Sequence, residues 1–172
     1  MKELANIIIK DLINSGVETF FGIQGGACAR LIQAVIINGG KFHPVLNEQA
    51  AGYTAHGYYL KTRKTPGMIF TTGPGFTNGL TGIAACYFDR IPSITLVGQV
   101  NKKLNVSQKT NTRMVGFQEV NHIGLAKEIS TKTFKIDSTS KYKNCRKEII
   151  NNLNNTIVVE VNDDVQREKV TR

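Results

Sequence analysis

The stretch LNEQAAGY, residues 46–53, joins a short β-rich run at residues 42–46 to a helical pattern that begins at Glu48. This junction places a carboxylate where a strand gives way to a helix. In an α/β fold, such a junction faces the ligand crevice outside the carboxyl ends of the strands. An acid in a first helical turn also complements the helix dipole, so Glu48 taken alone is compatible with a structural or a functional role.

Alternating strand and helix patterns extend from this junction in both directions. Apolar residues at helical spacing predict helices at residues 2–15, around 31–36, at 48–60, about 77–87, near 118–126 and at 142–153. Short apolar runs predict strands at residues 17–23, 42–46, 68–72, 92–97, 133–136 and 156–161. The polar, irregular sequence of residues 98–115 predicts a long connection without regular secondary structure. Strands that alternate with helices favour a three-layer α/β/α domain with a mostly parallel sheet of about six strands, in an order that the pattern does not define.

The composition is that of an ordinary globular domain. The 172 residues suit a single domain with a substantial core, and 41% of them are hydrophobic. No apolar run approaches the roughly 18 residues of a membrane span, and the N-terminal residues do not resemble a secretory signal. Cys28, Cys86 and Cys145 are too widely spaced for a disulfide framework or a CxxC metal site. We therefore expect a cytoplasmic protein with no membrane partner.

The net charge of +9 could attract nucleic acid, acidic membranes or anionic cofactors. The basic residues are scattered, with groups at residues 61–64, 102–109 and 141–147, and aromatic residues do not interleave them. A groove for single-stranded nucleic acid combines such charges with stacking aromatic side chains. A nucleic-acid partner is therefore less favoured than a solvated basic surface.

Two glycine-rich turns each follow a predicted strand and open toward a helix: GIQGG at residues 22–26 and GPGFTNG at residues 73–79. Glycines there allow a ligand to approach the backbone, and a helix N-terminus offers free N–H groups. Neither turn is GxGxxG, and no GxxxxGK[ST] motif occurs in the chain, so neither a dinucleotide fingerprint nor a P-loop is supported. Tight strand–helix packing is the alternative for each turn alone.

Taken together, these turns and the Glu48 segment resemble the N-terminal, pyrimidine-binding domain of thiamine-diphosphate-dependent enzymes of the acetolactate synthase and pyruvate decarboxylase type. FFGIQGG at residues 20–26 is similar to the family's FG-x-PGG turn, with Gln24 in place of the usual proline. NEQAA at 47–51 resembles the segment of the catalytic glutamate, and TGPGFTN at 72–78 resembles SGPG-x-TN. DRIP at 89–92, GQV at 98–100, FQEV at 117–120 and VNDDVQ at 161–166 resemble further family motifs in the same order. The resemblance covers nearly the whole chain and implies one such domain for residues 1–172.

The resemblance implies a cofactor and a set of site residues. In that family, the glutamate hydrogen-bonds to N1′ of the aminopyrimidine of thiamine diphosphate and promotes removal of the C2 proton of the thiazolium, which readies the cofactor to add to a 2-oxo acid. By this resemblance Glu48 is catalytic, and Gln118 is a catalytic-site residue that faces the substrate. The implied cofactor-binding residues are Gly25, Gly26, Glu48, Gly73, Pro74, Gly75 and Asn78.

Some positions depart from one or the other branch of the family. Asn47 stands where acetolactate synthases usually carry histidine, and Thr131 stands where they carry lysine. His122 stands alone where pyruvate decarboxylases carry an adjacent histidine pair. We interpret His43 and His122 as surface or core residues rather than catalysts. Gln118 in its matching context favours a carboligase over a simple decarboxylase, and the substrate stays open.

The family holds the diphosphate and its Mg²⁺ in a second domain with a GDG…N motif, and no GDG occurs in this sequence. The resemblance thus implies that a partner domain or subunit holds Mg²⁺, that this chain supplies no metal ligand, and that it forms a homodimer. We expect an excised domain or one subunit of a split enzyme, inactive by itself. A non-catalytic binding or regulatory module of the same fold is the alternative, and the retained Glu48 argues against it.

Overall fold

The structure is a computed structural model that describes residues 1–105 and 110–170; residues 106–109 of the predicted polar connection lie outside the described residues. The helices are α1 (Leu4–Asn14), α2 (Ala29–Ile37), α3 (Glu48–Thr62), α4 (Pro74–Phe88), α5 (His122–Ala126), α6 (Thr139–Asn151) and α7 (Asp163–Gln166). The strands are β1 (Lys2–Glu3), β2 (Thr19–Gly22), β3 (Lys41–Pro44), β4 (Gly67–Phe70), β5 (Ser93–Gln99), β6 (Lys132–Ile136), β7 (Thr156–Asn162) and β8 (Lys169–Val170). Short 3₁₀ turns at Gly26–Cys28 and Lys127–Ile129 adjoin α2 and α5.

A six-stranded sheet in the order β3-β2-β4-β5-β7-β6 forms the middle of the domain. All of its pairings are parallel. The longest pairing joins β5 to β7, from Ser93 opposite Thr156 to Gln99 opposite Asn162. Parallel strands need crossover connections, which the intervening helices supply. The predicted mostly parallel sheet is confirmed, and the structure defines the strand order that the sequence left open.

Two apolar cores lie on opposite faces of this sheet. One contains side chains of α1, α2 and α6, among them Leu12, Leu31 and Ile149. The other contains side chains of α3 and α4, among them Ala51 and Ile83. Burial of one large apolar side chain contributes about 1.5–3 kcal/mol, so both faces stabilise the sheet. The predicted three-layer α/β/α fold is confirmed.

Helices α3 and α4 approach closely because small residues meet at their crossing. A Cβ atom on Gly52 would lie 2.3 Å from the Cα atom of Gly82. Any larger side chain at Gly52 would therefore push the two helices apart. The close approach brings the first turn of α3, which carries Glu48, beside the first turns of α4, which carry Asn78.

The switch point of the sheet lies between β2 and β4. Strand β3 pairs with one side of β2, whereas β4, the next strand along the chain, pairs with the other side. In open α/β sheets the ligand crevice lies at this point, outside the carboxyl ends of the strands. Residues 23–28 follow β2 and residues 71–73 follow β4, so the glycine turns of the sequence border this crevice.

Some local features differ from the sequence-based expectation. Helix α4 begins at Pro74 rather than near residue 77, because proline is well suited to the first helical position. The helix predicted near residues 118–126 begins only at His122. Strands β1 and β8 form an unexpected antiparallel pair, with Lys2 opposite Val170. In the described ranges, no helix combines the length and the apolar content needed to cross a membrane.

Candidate functional site

Glu48 is the first residue of α3, which begins just past the edge strand β3. Asn47 has extended backbone angles, and its Oδ1 accepts a hydrogen bond of 2.8 Å from the N–H of Gln49. This is an N-cap, in which the side chain satisfies a free N–H of the first helical turn. The cap ends the extended segment at Asn47 and so places the Glu48 carboxylate at the crevice. The side chain is partly exposed.

Asn78 of α4 holds one oxygen of that carboxylate. Its Nδ2 donates a hydrogen bond of 2.6 Å to Oε2 of Glu48. Its Oδ1 accepts from Nε2 of Gln49 at 3.2 Å, which fixes the orientation of the amide. A hydrogen bond to a charged acceptor is stronger than a neutral one. Among the described residues, Oε1 of Glu48 has no protein donor, so this oxygen is available to a ligand.

Thr71 connects the two glycine turns. A Cβ atom on Gly25 would lie 2.5 Å from Cβ of Thr71, and one on Gly75 would lie 2.7 Å from its Cγ2. The Thr71 hydroxyl also accepts a hydrogen bond of 3.3 Å from the N–H of Ala27. Only glycine therefore fits at both turns. The same hypothetical Cβ on Gly75 would lie 3.6 Å from Oε1 of Glu48, so Gly75 leaves space beside the free oxygen.

The other predicted cofactor-binding positions have different environments. Gly26 is exposed, and a Cβ atom there would meet nothing within 4 Å, so packing does not require glycine at this position. Pro74 is exposed at the first position of α4. Gly73 is buried and has a φ of 65°, in the region that favours glycine. The structure thus brings Gly25, Gly75, Asn78 and Glu48 together and leaves Gly26 at the rim.

Gln118 lies beside the Gly73 turn rather than in a helix. A Cβ atom on Gly73 would lie 2.6 Å from Cβ of Gln118. The hydroxyl of Thr72 donates a hydrogen bond of 3.0 Å to the carbonyl oxygen of Gln118. Gln118 has a φ of 59°, which is unusual for a residue other than glycine and points to a constrained position. No hydrogen bond joins Gln118 to Glu48 within the part of the chain that the structure describes.

Glu119 shapes the loop that carries Gln118. Its Oε2 accepts hydrogen bonds from the N–H groups of Val115 and Gly116, at 3.1 and 3.2 Å. Its own N–H donates to the carbonyl oxygen of Gly116 at 3.0 Å. These bonds satisfy backbone groups that a helix would otherwise use. They explain why the chain is not helical at Gln118.

His122 belongs to the core, and His43 is exposed and stacks on Phe21 with ring centroids 5.6 Å apart. The structure thus places His122 in the core and His43 at the surface, and their non-catalytic character stays a prediction. His122 is fully buried, and its Nδ1 lies 2.8 Å from Oε2 of Glu160, which is itself 2% exposed. Sequence reasoning did not assign a role to Glu160, although an acid within the apolar run at residues 156–161 is a usable signal.

The cysteines are free thiols, and the most relevant one lies below the Gly25 turn. Burial raises the pKa of Cys28 to about 11, and it likewise raises the pKa of Cys86 to about 11. The Sγ atom of Cys28 donates a weak hydrogen bond of 3.5 Å to the carbonyl oxygen of Gly25. Because the thiolate is the reactive form, both buried thiols are inert near neutral pH.

No group of three or more His, Cys, Asp or Glu side chains that could hold a metal ion occurs among residues 1–105 and 110–170. The electrostatic feature of the site is therefore the Glu48 carboxylate, with one oxygen bound to Asn78 and the other open to the crevice. Such a carboxylate can accept a hydrogen bond from a ligand or exchange a proton with it.

These features define a class of protein, an α/β domain that presents a carboxylate and two glycine turns at the switch point of its sheet. Residues 2–125 match the family described as "Thiamine pyrophosphate enzyme, N-terminal TPP binding domain". The chain belongs to this family, which confirms the resemblance carried by the sequence motifs.

The relatives with the most informative names are large subunits of acetolactate synthase. The chain is 37% identical over 136 residues to the acetolactate synthase large subunit of Buchnera aphidicola subsp. Schizaphis graminum, a match that covers 78% of this chain and 23% of the relative. It is 34% identical over 139 residues to the acetolactate synthase isozyme 3 large subunit of Escherichia coli K12, with 78% and 22% covered. The chain spans less than a quarter of the length of these relatives.

Proposed function

We propose that this chain supplies the pyrimidine-binding half of a thiamine-diphosphate-dependent enzyme that acts on 2-oxo acids. The observation that carries the proposal is the Glu48 carboxylate at the switch point, with Oε2 held by Asn78 and Oε1 without a protein donor among the described residues. A carboxyl group held in this way fits an aminopyrimidine ring. The ring nitrogen N1′ can form a hydrogen bond with the open oxygen. The family membership and the names of the relatives support the same cofactor.

Each of the residues at the crevice would have its own role in binding or catalysis. Glu48 would bind N1′ and exchange a proton there, and Asn78 would keep its carboxyl group in place. Gly25, Gly73 and Gly75 would let the ring approach the backbone, with Gly26 and Pro74 at the rim. When bound, thiamine diphosphate supplies an acidic carbon and an electron sink for the decarboxylation of 2-oxo acids. Gln118 would contact the substrate from the loop that Thr72 holds.

The diphosphate group and Mg²⁺ would be held by a second domain or subunit. Mg²⁺ in such sites binds a carboxylate together with phosphate oxygens, and this sequence contains no GDG motif. We therefore propose that the site is complete only with a diphosphate-binding domain or subunit, and that the chain also forms a homodimer. Gln118 in its FQEV context and the names of the relatives favour an acetolactate-synthase-like carboligase over a decarboxylase.

The test is exchange of the C2 proton of thiamine diphosphate, followed by NMR in the complex with a diphosphate-binding domain and Mg²⁺. We expect Glu48→Gln to slow this exchange by roughly 10²–10⁴, the usual scale of general acid–base catalysis. Glutamine can still donate a hydrogen bond to N1′ but cannot exchange a proton. The matched control is Glu18→Gln, because the Glu18 side chain is 52% exposed and pairs with Lys64. Equal exchange rates in the Glu48→Gln variant and the unsubstituted protein would overturn the proposal.

The requirement for a partner has its own test. We expect the purified chain to show no turnover of pyruvate with thiamine diphosphate and Mg²⁺, and turnover to appear once a diphosphate-binding domain is added. Sedimentation at high concentration should detect a dimer, since exposed apolar surface at an interface favours association. Turnover by the chain alone would contradict the division of the site, and a strict monomer would contradict the homodimer.

A further inference from the structure

We infer that His122 and Glu160 are positioning residues, which together hold the Gly73 turn and the Gln118 loop in place from inside the core. The pair lies on the α3–α4 side of the sheet, at the carboxyl ends of β5 and β7. No hydrogen bond joins the pair to Glu48 among the residues that the structure describes. The inference rests on the proposed function only for its catalytic consequence, whereas the positioning itself follows from the hydrogen bonds described below.

The tautomer of His122 follows from the hydrogen bonds of its two ring nitrogens. Gln99 has a defined amide orientation because its Oε1 accepts from the N–H of Val100 at 2.9 Å. Its Nε2 therefore carries the donors, which point to the carbonyl oxygen of Val120 at 2.8 Å and to Oε2 of Glu160 at 3.1 Å. Nδ1 of His122 faces Oε2 of Glu160 at 2.8 Å. Nε2 of the same ring accepts from the N–H of Gly73 at 3.4 Å, so the ring proton lies on Nδ1, which donates a hydrogen bond to Oε2 of Glu160.

The other ring nitrogen faces the Gly73 turn. The N–H of Gly73 donates to Nε2 of His122 across 3.4 Å, and the Thr72 hydroxyl lies 3.3 Å from the same nitrogen. The ring of Phe76 meets the imidazole edge-on with centroids 4.8 Å apart, which restricts its rotation. Glu160 therefore fixes the tautomer and the ring orientation that place an acceptor opposite the Gly73 N–H.

Thr72 extends the connection to the loop. Its hydroxyl donates to the carbonyl oxygen of Gln118 at 3.0 Å, with Oε1 of Gln99 as a second acceptor at 3.1 Å. A residue with φ near +60° persists only where its surroundings over-determine it, and Gln118 is such a residue. The bond from Thr72 to the Gln118 carbonyl oxygen and the packing of the Gln118 Cβ atom against Gly73 supply that constraint. Hydrogen bonds thus connect Glu160, His122, the Thr72–Gly73 backbone and Gln118.

Burying an acid and an imidazole in a core costs free energy, because both groups lose their contacts with water. Replacing such a pair with apolar residues of similar volume is often neutral or stabilising. Glu160 receives little further compensation, since Lys135 reaches its Oε1 only at 3.6 Å and no hydrogen bond from the described residues reaches that atom. Stability alone therefore does not account for the pair, whereas fixing a strained loop beside a ligand crevice does.

The experiment measures amide hydrogen exchange in the chain alone, and the readout is the rate at Gly73 relative to that at Leu96 in the central strand β5. In His122→Asn, the shorter amide can still donate toward Glu160 but does not reach Gly73. We expect the Gly73 to Leu96 ratio to rise about three- to tenfold, the size expected for one lost hydrogen bond. In His122→Gln, the longer side chain can place an oxygen near the position of Nε2, so the ratio should return toward its original value.

The matched control is Tyr142→Phe. The Tyr142 hydroxyl donates to Oδ2 of Asp11 at 2.7 Å in the core on the other face of the sheet. Its loss should lower global stability and raise both exchange rates together, leaving the ratio unchanged. If His122→Asn also leaves the ratio within about twofold of the original, the positioning role is wrong.

Thr72→Val provides a second, milder variant if His122→Asn does not fold. The carbonyl ¹³C shift of Gln118 should then change, because its hydrogen-bond donor is gone, while the Tyr142→Phe control leaves this shift in place. An unchanged shift would overturn the inference. The catalytic consequence is measured in the complex, where His122→Asn should raise KM for the 2-oxo acid more than it lowers kcat. If the exchange ratio changes in His122→Asn, the positioning role is supported. If Gln118→Ala then shows normal turnover, the role proposed for Gln118 in catalysis is wrong.

Discussion

Glu48 and Glu160 both lie toward the carboxyl ends of the sheet strands, but in opposite environments. Glu48 is partly exposed, receives one side-chain hydrogen bond and keeps an oxygen open to the crevice. Glu160 is 2% exposed and shares one oxygen between His122 and Gln99. The open oxygen of Glu48 suits contact with a ligand, whereas the buried oxygens of Glu160 contact only the protein. Substitution of Glu160 should therefore lower the unfolding free energy much more than substitution of Glu48.

The largest effect should come from removing the buried carboxylate. Glu160→Ala leaves the Nδ1–H of His122 without its acceptor in the core, which costs about 1–3 kcal/mol, and the cavity left by the truncated side chain adds a further loss. Glu48→Ala removes an acid from a first helical turn, which costs at most about 1 kcal/mol. Urea unfolding of both variants measures the contrast. Similar losses of unfolding free energy would show that the two environments are not as different as their exposure indicates.

The next effect concerns two buried thiols, that of Cys28 below the Gly25 turn and that of Cys86 beside Gly52. Burial raises the pKa of Cys28 and of Cys86 from 9.0 in the unfolded chain to about 11. The folded state thus keeps protons that the unfolded state loses, so the stability is complete below pH 9 and is lost as the pH rises toward 11. Each thiol contributes about 1.4 kcal/mol of lost stability per pH unit in this window, or roughly 2–3 kcal/mol by pH 11.

Urea unfolding between pH 8 and 11 measures this slope. Cys28→Ala and Cys86→Ala serve as separate controls for the other groups that titrate at high pH, and each should flatten the slope by about half of the thiol contribution. An unchanged slope in Cys28→Ala would mean that the space below the Gly25 turn is as solvated as the crevice above it.

A smaller effect is expected where the glycine turns meet. Gly75→Ala would place a Cβ atom 2.7 Å from Cγ2 of Thr71, and overpacking of this kind costs about 1–3 kcal/mol. Thr71→Ser removes Cγ2, so the double variant should recover most of the loss. A double-mutant cycle from thermal unfolding gives the coupling energy. Additive losses would show that Thr71 does not set the distance between the two turns.

The smallest effect should come from the hydrogen bond that orients Glu48. Asn78→Ala removes the donor to Oε2 at a partly exposed position, so the unfolding free energy should fall by about 0.5–1.5 kcal/mol. Gln49→Ala removes only the outer bond to Asn78 and should have a smaller effect. A loss above about 3 kcal/mol in Asn78→Ala would place Glu48 in a structural network like that of Glu160.

The element order was predictable because it depends on local patterns. Apolar runs and helical spacing located the strands and the main helices. The two-residue strands β1 and β8 were not predictable, since segments of that length carry no periodicity. The strand order was also inaccessible, because it depends on pairings between distant segments.

The site was predictable only where a residue type stood in a family motif. Glu48 and Asn78 are 30 positions apart, and the resemblance named both before the structure joined them. The contacts of Thr71 with Gly25 and of His122 with Glu160 join residues that no local pattern relates. Gln118 was placed in a helix by apolar spacing, but the hydrogen bonds of Glu119 to its own loop favour another conformation.

The small β1–β8 ribbon has a consequence for how the fold could be rearranged. It joins Lys2 to Val170, and its side chains Glu3 and Lys169 meet across 166 positions of sequence. Closing a loop of that length has an entropic cost on the order of 4–5 kcal/mol, which a ribbon of two residues per strand does not offset. The ribbon should therefore form last and open first. A circular permutant that links these neighbouring ends and opens an exposed loop elsewhere would turn this most distant contact into a local one, with the same residues meeting at the crevice.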